Sequence, residues 1–232
     1  MLVYGRNVAK EILSGNKKIN KITIIEDFSD KDILSLIEKR NIKPICLKKN
    51  EFSRFDKFSH QGIILDIEDF CYSDYTEFLD VENAKVVVLD HLEDPHNLGA
   101  IIRTCEAAGI TGIIIPKDRS VEVNSTVMKT SAGAVENIKI AQVVNIANVL
   151  DELKDNGFWV VGTKMESDTD YRDIDYTGKV ALVIGNEGNG MSNLVSKKCD
   201  YIAKIPMYGK VNSLNASVAA GIMIYEMISL DR

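Results

Sequence analysis

Amide and hydroxyl side chains crowd into one stretch near the C-terminus, IPMYGKVNSLNASVAAG (205–221). Ser213 and Asn215 are residue types that cap helix N-termini, but capping explains only one of them. Asn212 and Gly209 lie in the same turn, so capping does not account for the whole cluster. The helix that follows is small and apolar up to Glu226, which predicts that it is buried or lies at an interface.

A second cluster begins where an apolar strand meets a helix, in LDHLEDPHNLGAIIRTCEAAG (89–109). Asn97 is predicted to cap this helix and Gly109 to end it. Apolar residues at helical spacing form the stripe that we expect to be buried, namely Leu98, Ile101, Ile102 and Cys105.

Another stripe of the same helix carries the residues that could do chemistry. Gly99 would let a neighbouring group approach the backbone closely. Arg103 could form two parallel hydrogen bonds with a phosphate or a carboxylate. The alternative is a solvated ion pair between Arg103 and Glu106, which are three residues apart on one helix face.

The third cluster follows an apolar strand, in ALVIGNEGNGMSN (181–193). Its glycines have the order GxxGxG, whereas the dinucleotide-binding fingerprint is GxGxxG in the first strand–helix turn of its domain. Glu187 would also repel a pyrophosphate. The loop therefore predicts a tight backbone cradle for a ligand that is not an anion at that point, with a plain glycine-rich turn as the alternative.

A metal site is the less favoured interpretation of the second cluster. His91 and His96 flank two carboxylates, but structural zinc sites have four ligands at shorter spacings. We expect no metal.

The elements around these clusters alternate between strand and helix from residue 85 onward. The run KVVVLD (85–90) is continuously apolar, as in parallel strands that are covered on both faces. The alternation predicts an α/β domain with a mostly parallel sheet, which binds ligands beyond the carboxyl ends of its strands. All three clusters follow such strands.

The N-terminal part reads as helix, strand, helix, strand, strand and predicts a separate small α/β domain at 1–68. Residues 69–83, rich in acidic side chains and without basic ones, are predicted to be the linker to a domain at 84–232. Residues 1–68 hold 13 Lys and Arg against 10 Asp and Glu, whereas the rest holds 15 against 24. The net charge of −6 therefore hides a basic excess in the first part, unless this distribution is chance scatter.

Composition excludes several classes of protein. The chain has 232 residues, 45% hydrophobic and 27% charged, as in ordinary globular proteins. It has no apolar run of about 18 residues, and the N-terminus lacks the pattern of a signal peptide. Its four cysteines are scattered singly, which fits a reducing compartment. We therefore expect a cytoplasmic protein without a membrane partner.

In these clusters the sequence resembles the TrmH/SpoU family of RNA 2′-O-ribose methyltransferases, of the SPOUT superfamily. The family's three motifs match in order at NLGAIIRTCEAAG, LVIGNEGNGMS and IPMYGKVNSLNASVAAGI, each after an apolar strand. The resemblance covers roughly residues 84–230. It implies a deep trefoil knot, S-adenosylmethionine as the cofactor, and a homodimer whose active site takes residues from both chains.

The resemblance also implies roles for individual residues. Its catalytic set corresponds here to Arg103, Asn97, Glu187, Ser213 and Asn215. Its cofactor-binding set corresponds to Thr163, Gly185, Asn186, Gly188, Ile205, Met207, Ser213 and Leu214.

The motifs VYGRNVAKEIL (3–13) and HQGI (60–63) resemble the substrate-binding domain of rRNA guanosine 2′-O-methyltransferases, which is similar to an RNA-binding ribosomal-protein fold. The resemblance implies RNA as the partner, with a guanosine of 23S rRNA as the target. DNA is not expected, because it lacks the 2′-hydroxyl. The alternatives are a tRNA 2′-O-methyltransferase, a non-catalytic RNA-binding or ribosome-assembly protein, and a nucleotide-binding oxidoreductase, which the glycine order disfavours.

Overall fold

The computed structural model describes residues 1–55 and 59–229. Residues 56–58 and 230–232, which the predicted domain ranges include, lie outside the described residues. The chain forms a four-stranded sheet followed by a seven-stranded sheet. Both sheets carry helices, so the α/β class predicted from the sequence is confirmed.

The first sheet has the strand order β1-β4-β2-β3 and is mixed, since β4 runs antiparallel to β1 and β2 while β3 runs parallel to β2. The sequence prediction missed β1, because three residues with one buried side chain give no periodic signal. The elements of this part are β1 (Leu2–Tyr4), α1 (Arg6–Ser14), β2 (Ile19–Ile25), α2 (Lys31–Lys39), β3 (Ile45–Leu47), α3 (Lys49–Phe52) and β4 (Ile63–Ile67).

The second sheet is parallel at every strand pair and has the order β7-β6-β5-β10-β8-β11-β9. Carboxyl ends of parallel strands meet at one edge, so the loops after β5, β10, β8 and β11 are neighbours. The elements are β5 (Lys85–Asp90), α4 (Pro95–Ala107), β6 (Gly112–Pro116), α5 (Ser125–Thr130), β7 (Ile140–Val143), α6 (Ile146–Asp155), β8 (Trp159–Thr163), β9 (Thr169–Asp170), β10 (Val180–Gly185), α7 (Asn193–Lys198), β11 (Tyr201–Lys204) and α8 (Ala216–Met227).

Helices cover both faces of the second sheet. Alternate residues of β5 enter two different cores: Val87 and Leu89 pack with α4, α5 and α8, and Val86 and Val88 pack with α6 and α7. This two-sided burial explains why β5 is a continuous apolar run.

The acidic segment 69–83 packs against the edge of the second sheet. The Ser73 N–H donates to the carbonyl of Ile140 at 2.8 Å, and Phe78 is fully buried. The Tyr75 hydroxyl donates to Glu152 Oε2 at 2.6 Å, and this hydrogen bond raises the pKa of Tyr75 to about 12. The segment that connects the two sheets is therefore anchored along β7.

Helix α1 packs against the chain that follows α5. The Asn137 amide donates to Glu11 Oε1 at 2.7 Å, and Lys17 Nζ lies 3.3 Å from Glu136 Oε1. Gly133 has φ +90°, and a Cβ there would lie 2.6 Å from the Glu11 side chain. The contact between the two parts thus needs a glycine.

Within residues 1–55 and 59–229, no helix combines the length and the apolar character needed to cross a bilayer. All four cysteines lie in these ranges, and none forms a disulfide.

Candidate active site

Asn97 lies inside helix α4, so the prediction that it caps the helix is wrong. The cap is Asp94, whose side chain accepts the N–H of His96 at 2.9 Å, and Pro95 is the first helical residue. Proline favours the first helical position because its fixed φ suits the helix and its missing N–H would be unpaired there. Gly109 follows the last residues of the helix with φ +71°, so that prediction is confirmed.

Gly99 admits a close neighbour, and that neighbour is protein. A Cβ on Gly99 would lie 2.6 Å from Thr130 Cβ, at the end of α5. The predicted close approach to the backbone is confirmed, but helix packing explains it without a ligand.

Arg103 is exposed on α4 and has no hydrogen bond or ion pair with any residue that the structure describes. Glu106 is also exposed, yet the pair predicted as the alternative does not form. The guanidinium is therefore available to a phosphate or another anion from outside the chain.

The loop after β10 closes on itself around Asn186. The backbone N–H groups of Asn186 and Gly190 each donate to the other residue's carbonyl at 3.0 Å. The Asn186 Oδ1 accepts the Gly188 N–H at 2.8 Å, and its Nδ2 donates to the carbonyl of His91 at 2.7 Å. A Cβ on Gly185 would lie 2.2 Å from the Met191 backbone nitrogen, so only glycine fits there.

Asn97 and Glu187 join the first and second clusters. Asn97 is 5% exposed, and its Nδ2 donates to Glu187 Oε1 at 2.9 Å. The two residues are 90 positions apart in the chain. Neither Arg103, Ser213 nor Asn215 has a hydrogen bond to this pair among the described residues, so the structure brings together only part of the predicted catalytic set.

The segment after β11 leaves its backbone donors unpaired. From Ile205 to Leu214, no backbone N–H donates to another residue of the described chain. Polar backbone groups in this state require water or a ligand as partner. A row of unpaired amides and exposed glycine backbone suits a neutral purine and a zwitterionic amino acid, so these residues fit S-adenosylmethionine.

Thr163, Gly185 and Ile205 lie at the carboxyl ends of three adjacent strands, β8, β10 and β11. The Thr163 hydroxyl donates to the Val183 carbonyl at 3.1 Å, which leaves its oxygen free to accept. Met207 is half-buried, and Leu214 is exposed. Three of the predicted cofactor residues, Thr163, Gly185 and Ile205, therefore share one edge of the sheet.

Asn215 is the cap of α8, since its Oδ1 accepts the Ser217 N–H at 2.9 Å and the Ser217 hydroxyl at 2.6 Å. Capping thus uses the side-chain oxygen of Asn215 and leaves its side-chain amide nitrogen available to donate a hydrogen bond. Ser213 is exposed and has no hydrogen-bond partner among the described residues.

Among the described residues, no group of His, Cys, Asp and Glu is arranged to hold a metal ion. His91 instead bonds to Asp90, with 2.7 Å between Nδ1 and Oδ1. Asp90 is not among the site residues predicted from the sequence, although a carboxylate at the end of a buried strand was a visible signal.

The two N-terminal motifs also meet in space. The Arg6 backbone N–H donates to Gln61 Oε1 at 2.8 Å, which joins VYGRN to HQGI. Gln61 and Gly62 both have positive φ, at 52° and 84°. Arg6 and Asn7 remain exposed beside this junction.

Comparison with known proteins gives two family matches. The model of the SpoU rRNA Methylase family matches residues 84–225. The model described as RNA 2′-O ribose methyltransferase substrate binding matches residues 2–73.

Individual proteins resemble the chain over nearly its whole length. A Staphylococcus aureus (strain COL) protein with the name "Putative TrmH family tRNA/rRNA methyltransferase" is 45% identical to this chain. The similarity covers 97% of this chain and 94% of that protein. The SpoU methyltransferase AviRb from Streptomyces viridochromogenes, solved in complex with AdoMet, has a TM-score of 0.86 at 25% identity, covering 100% of this chain and 90% of that one. An AdoMet-bound rRNA methyltransferase from Sinorhizobium meliloti has a TM-score of 0.83 at 28% identity, covering 99% and 87%.

The catalytic and substrate-binding family matches, the full-length relative and the fold agree with one another. The chain belongs to the SpoU/TrmH family of RNA methyltransferases.

Proposed function

We propose that this protein transfers the methyl group of S-adenosylmethionine to a ribose 2′-hydroxyl of RNA, with a guanosine of 23S rRNA as the target. The observation that carries the proposal is the bond between Asn97 and Glu187, which joins two family motifs that are 90 positions apart in the chain. A module that only bound RNA would not need this arrangement.

The cofactor residues are those at the carboxyl ends of β8, β10 and β11. Glycines and open amides would hold the adenosine and methionine parts, through Thr163, Gly185, Asn186, Gly188, Ile205, Met207, Ser213 and Leu214. When bound, S-adenosylmethionine supplies an electrophilic methyl group on a sulfonium. The solved AviRb and Sinorhizobium meliloti relatives, each in complex with AdoMet, support this assignment.

The protein's own task is to align the hydroxyl and to help remove its proton. Alignment can contribute up to about 7–11 kcal/mol. Arg103 holds the phosphate beside the target ribose, and that phosphate or another group takes the proton of the 2′-hydroxyl as its oxygen bonds to the methyl carbon. Arg103 does not serve as the base, because a guanidinium keeps its proton. Glu187, fixed by Asn97, accepts a hydrogen bond from the substrate.

Ser213 and the free amide nitrogen of Asn215 orient the ribose. Their position at the start of α8 supports this role, since Asn215 is held by its own capping bonds. Both side chains are exposed and so are open to a substrate.

The N-terminal part supplies phosphate contacts and selects rRNA. Its basic excess, the match to a substrate-binding family at residues 2–73 and the exposed Arg6 and Asn7 support this division of roles. The division into 1–68, 69–83 and 84–232, the trefoil knot in the last part and a cytoplasmic location belong to the same proposal.

We further propose that the active form is a homodimer built on α8. Val218 and Tyr225, seven residues apart on one helix face, are 50% and 47% exposed. Helix α4, which carries the unpaired Arg103, packs beside α8. A second copy covers the apolar face and receives Arg103 in its own site.

Replacing Val218 with Lys should convert the dimer to a monomer, because a charge at the centre of an apolar interface is left unpaired. Light scattering after size-exclusion chromatography measures the mass, and methyl transfer should fall with it. Val144→Lys is the matched control, since Val144 is 80% exposed beside the edge strand β7. A Val218→Lys protein that stays dimeric contradicts this interface.

The function itself is tested with labelled S-adenosylmethionine and separated, unmethylated 16S rRNA, 23S rRNA and bulk tRNA. We expect label in 23S rRNA, mapped to the 2′-oxygen of a guanosine. Label in tRNA would support the proposed methyl transfer but overturn 23S rRNA as the proposed substrate. Cofactor binding without transfer to any RNA would overturn the proposal for naked RNA, and ribosomal particles would then be the next substrate.

A further inference from the structure

Asp90 is a buried carboxylate to which the proposed reaction assigns no role. It ends β5 and is 1% exposed. Its Oδ2 accepts the backbone N–H of Ser192 at 2.7 Å, and its Oδ1 lies 2.7 Å from His91 Nδ1. An ionised carboxylate only accepts, so Nδ1 carries the hydrogen and donates it. Burying such a group is costly unless it is hydrogen-bonded, and here each of its oxygens has one partner.

His91 has an unusual backbone. Its φ is +59°, in the left-handed region that non-glycine residues rarely adopt. Strain of this kind persists only where the surroundings hold the residue in place. Besides the ring bond to Asp90, the carbonyl of His91 accepts the side-chain amide of Asn186 at 2.7 Å.

These contacts hold the loop after β10 at both ends. The carbonyl of His91 holds Asn186 at the start of the loop, and Asp90 holds Ser192 at its end. The register of the sheet explains the geometry, because Asp90 lies directly beside Gly185 in the neighbouring strand. The segment between the two ends carries Glu187 and Gly188.

We propose that Asp90 and His91 are positioning residues that clamp the 186–192 loop and thereby set the affinity for the methyl donor without touching it. The inference rests on the proposed function, since it assumes that this loop binds S-adenosylmethionine. With its left-handed backbone, His91 contacts Asp90 through its ring and accepts from Asn186 through its carbonyl.

Two variants test the clamp. Asp90→Asn keeps the shape but removes the charge: its single accepting oxygen can serve Ser192, and it can contact the His91 ring only if the ring hydrogen moves from Nδ1 to Nε2. His91→Gly removes the ring and suits the positive φ, so it should fold well. For both we expect a rise of about tenfold in the dissociation constant for S-adenosylmethionine by calorimetry, as for one lost charge-assisted hydrogen bond. The KM for the cofactor should rise likewise, with a smaller change in kcat.

Amide hydrogen exchange gives a readout that does not depend on the cofactor. Without the clamp, exchange at Ser192 and Gly190 should accelerate while the amides of β10 stay protected. His96→Ala is the matched control, because His96 is an exposed histidine in the first turn of α4, five residues from His91. Asn145→Ala removes the cap of α6 and controls for a general loss of stability.

The outcomes separate the two proposals. Wild-type protein that binds no S-adenosylmethionine overturns the proposed function, and loop exchange still decides whether the clamp exists. Wild-type protein that binds the cofactor, with both variants binding it equally well, overturns the role of Asp90 and His91. A loss of affinity in Asn145→Ala equal to that in Asp90→Asn would likewise overturn it.

Discussion

Arg103→Ala should lower kcat for RNA methylation by about 10²- to 10³-fold, the usual effect of losing one charged group that positions or stabilises the reacting atoms. Arg103 is exposed and unpaired within the described chain, so its removal leaves no internal ion pair broken. We therefore expect the melting temperature and cofactor affinity to stay near those of the wild type. Single-turnover methyl transfer to RNA measures the effect.

Arg103→Lys separates two roles for the same side chain. A lysine keeps the charge but cannot form two parallel hydrogen bonds with a phosphate, so activity should recover only in part. Arg119→Ala, at an exposed arginine outside the three motifs, is the control and should retain activity. Near-full activity in Arg103→Lys would rule out a bidentate contact, and near-full activity in Arg103→Ala would remove Arg103 from the mechanism.

Gly185→Ala should abolish cofactor binding through the loop's own backbone. The added Cβ would meet the Met191 nitrogen at 2.2 Å and the Gly190 carbonyl carbon at 2.3 Å. Backbone atoms cannot rotate away, so the turn between Asn186 and Gly190 must shift. We expect a loss of about 1–3 kcal/mol in the free energy of unfolding, as for other overpacked sites, and no measurable binding of S-adenosylmethionine.

Two further glycine variants show whether the effect belongs to the turn or to the ligand. At Gly188 the nearest atom to a Cβ is Asn186 Oδ1 at 3.5 Å, so Gly188→Ala should leave stability unchanged while weakening cofactor binding. Gly15→Ala, also with 3.5 Å clearance and with an ordinary φ, is the control outside the site. Wild-type cofactor affinity in Gly185→Ala would place the cofactor elsewhere.

Local pattern was sufficient for the buried elements of the second sheet. Strands such as β5 and β10 are apolar on both faces, and the capped helices between them have clear helical spacing. Local pattern failed where two residues of suitable type could each cap the same helix. Asn97 is a good cap by type, but Asp94 followed by Pro95 is a better one, and this competition moves Asn97 inside the helix.

The sequence pattern around each glycine also did not show which group approaches its backbone. Gly99 and Gly185 suggested space for a ligand, yet their missing Cβ atoms make room for Thr130 and for the Gly190–Met191 backbone. A sequence shows that a backbone must be approached closely, but the partner is known only after the chain is packed.

The sequence by itself determined the α/β class, the three clusters after apolar strands and the family to which they belong. Each of these depends on residue types within one strand, turn or helix. Only the tertiary structure decided that Asn97 bonds to Glu187, that Asp90 and His91 hold the loop of Asn186, and that the acidic segment packs along β7. The physical reason is the strand order. Because β10 inserts beside β5, loops that are distant in the chain meet at one edge.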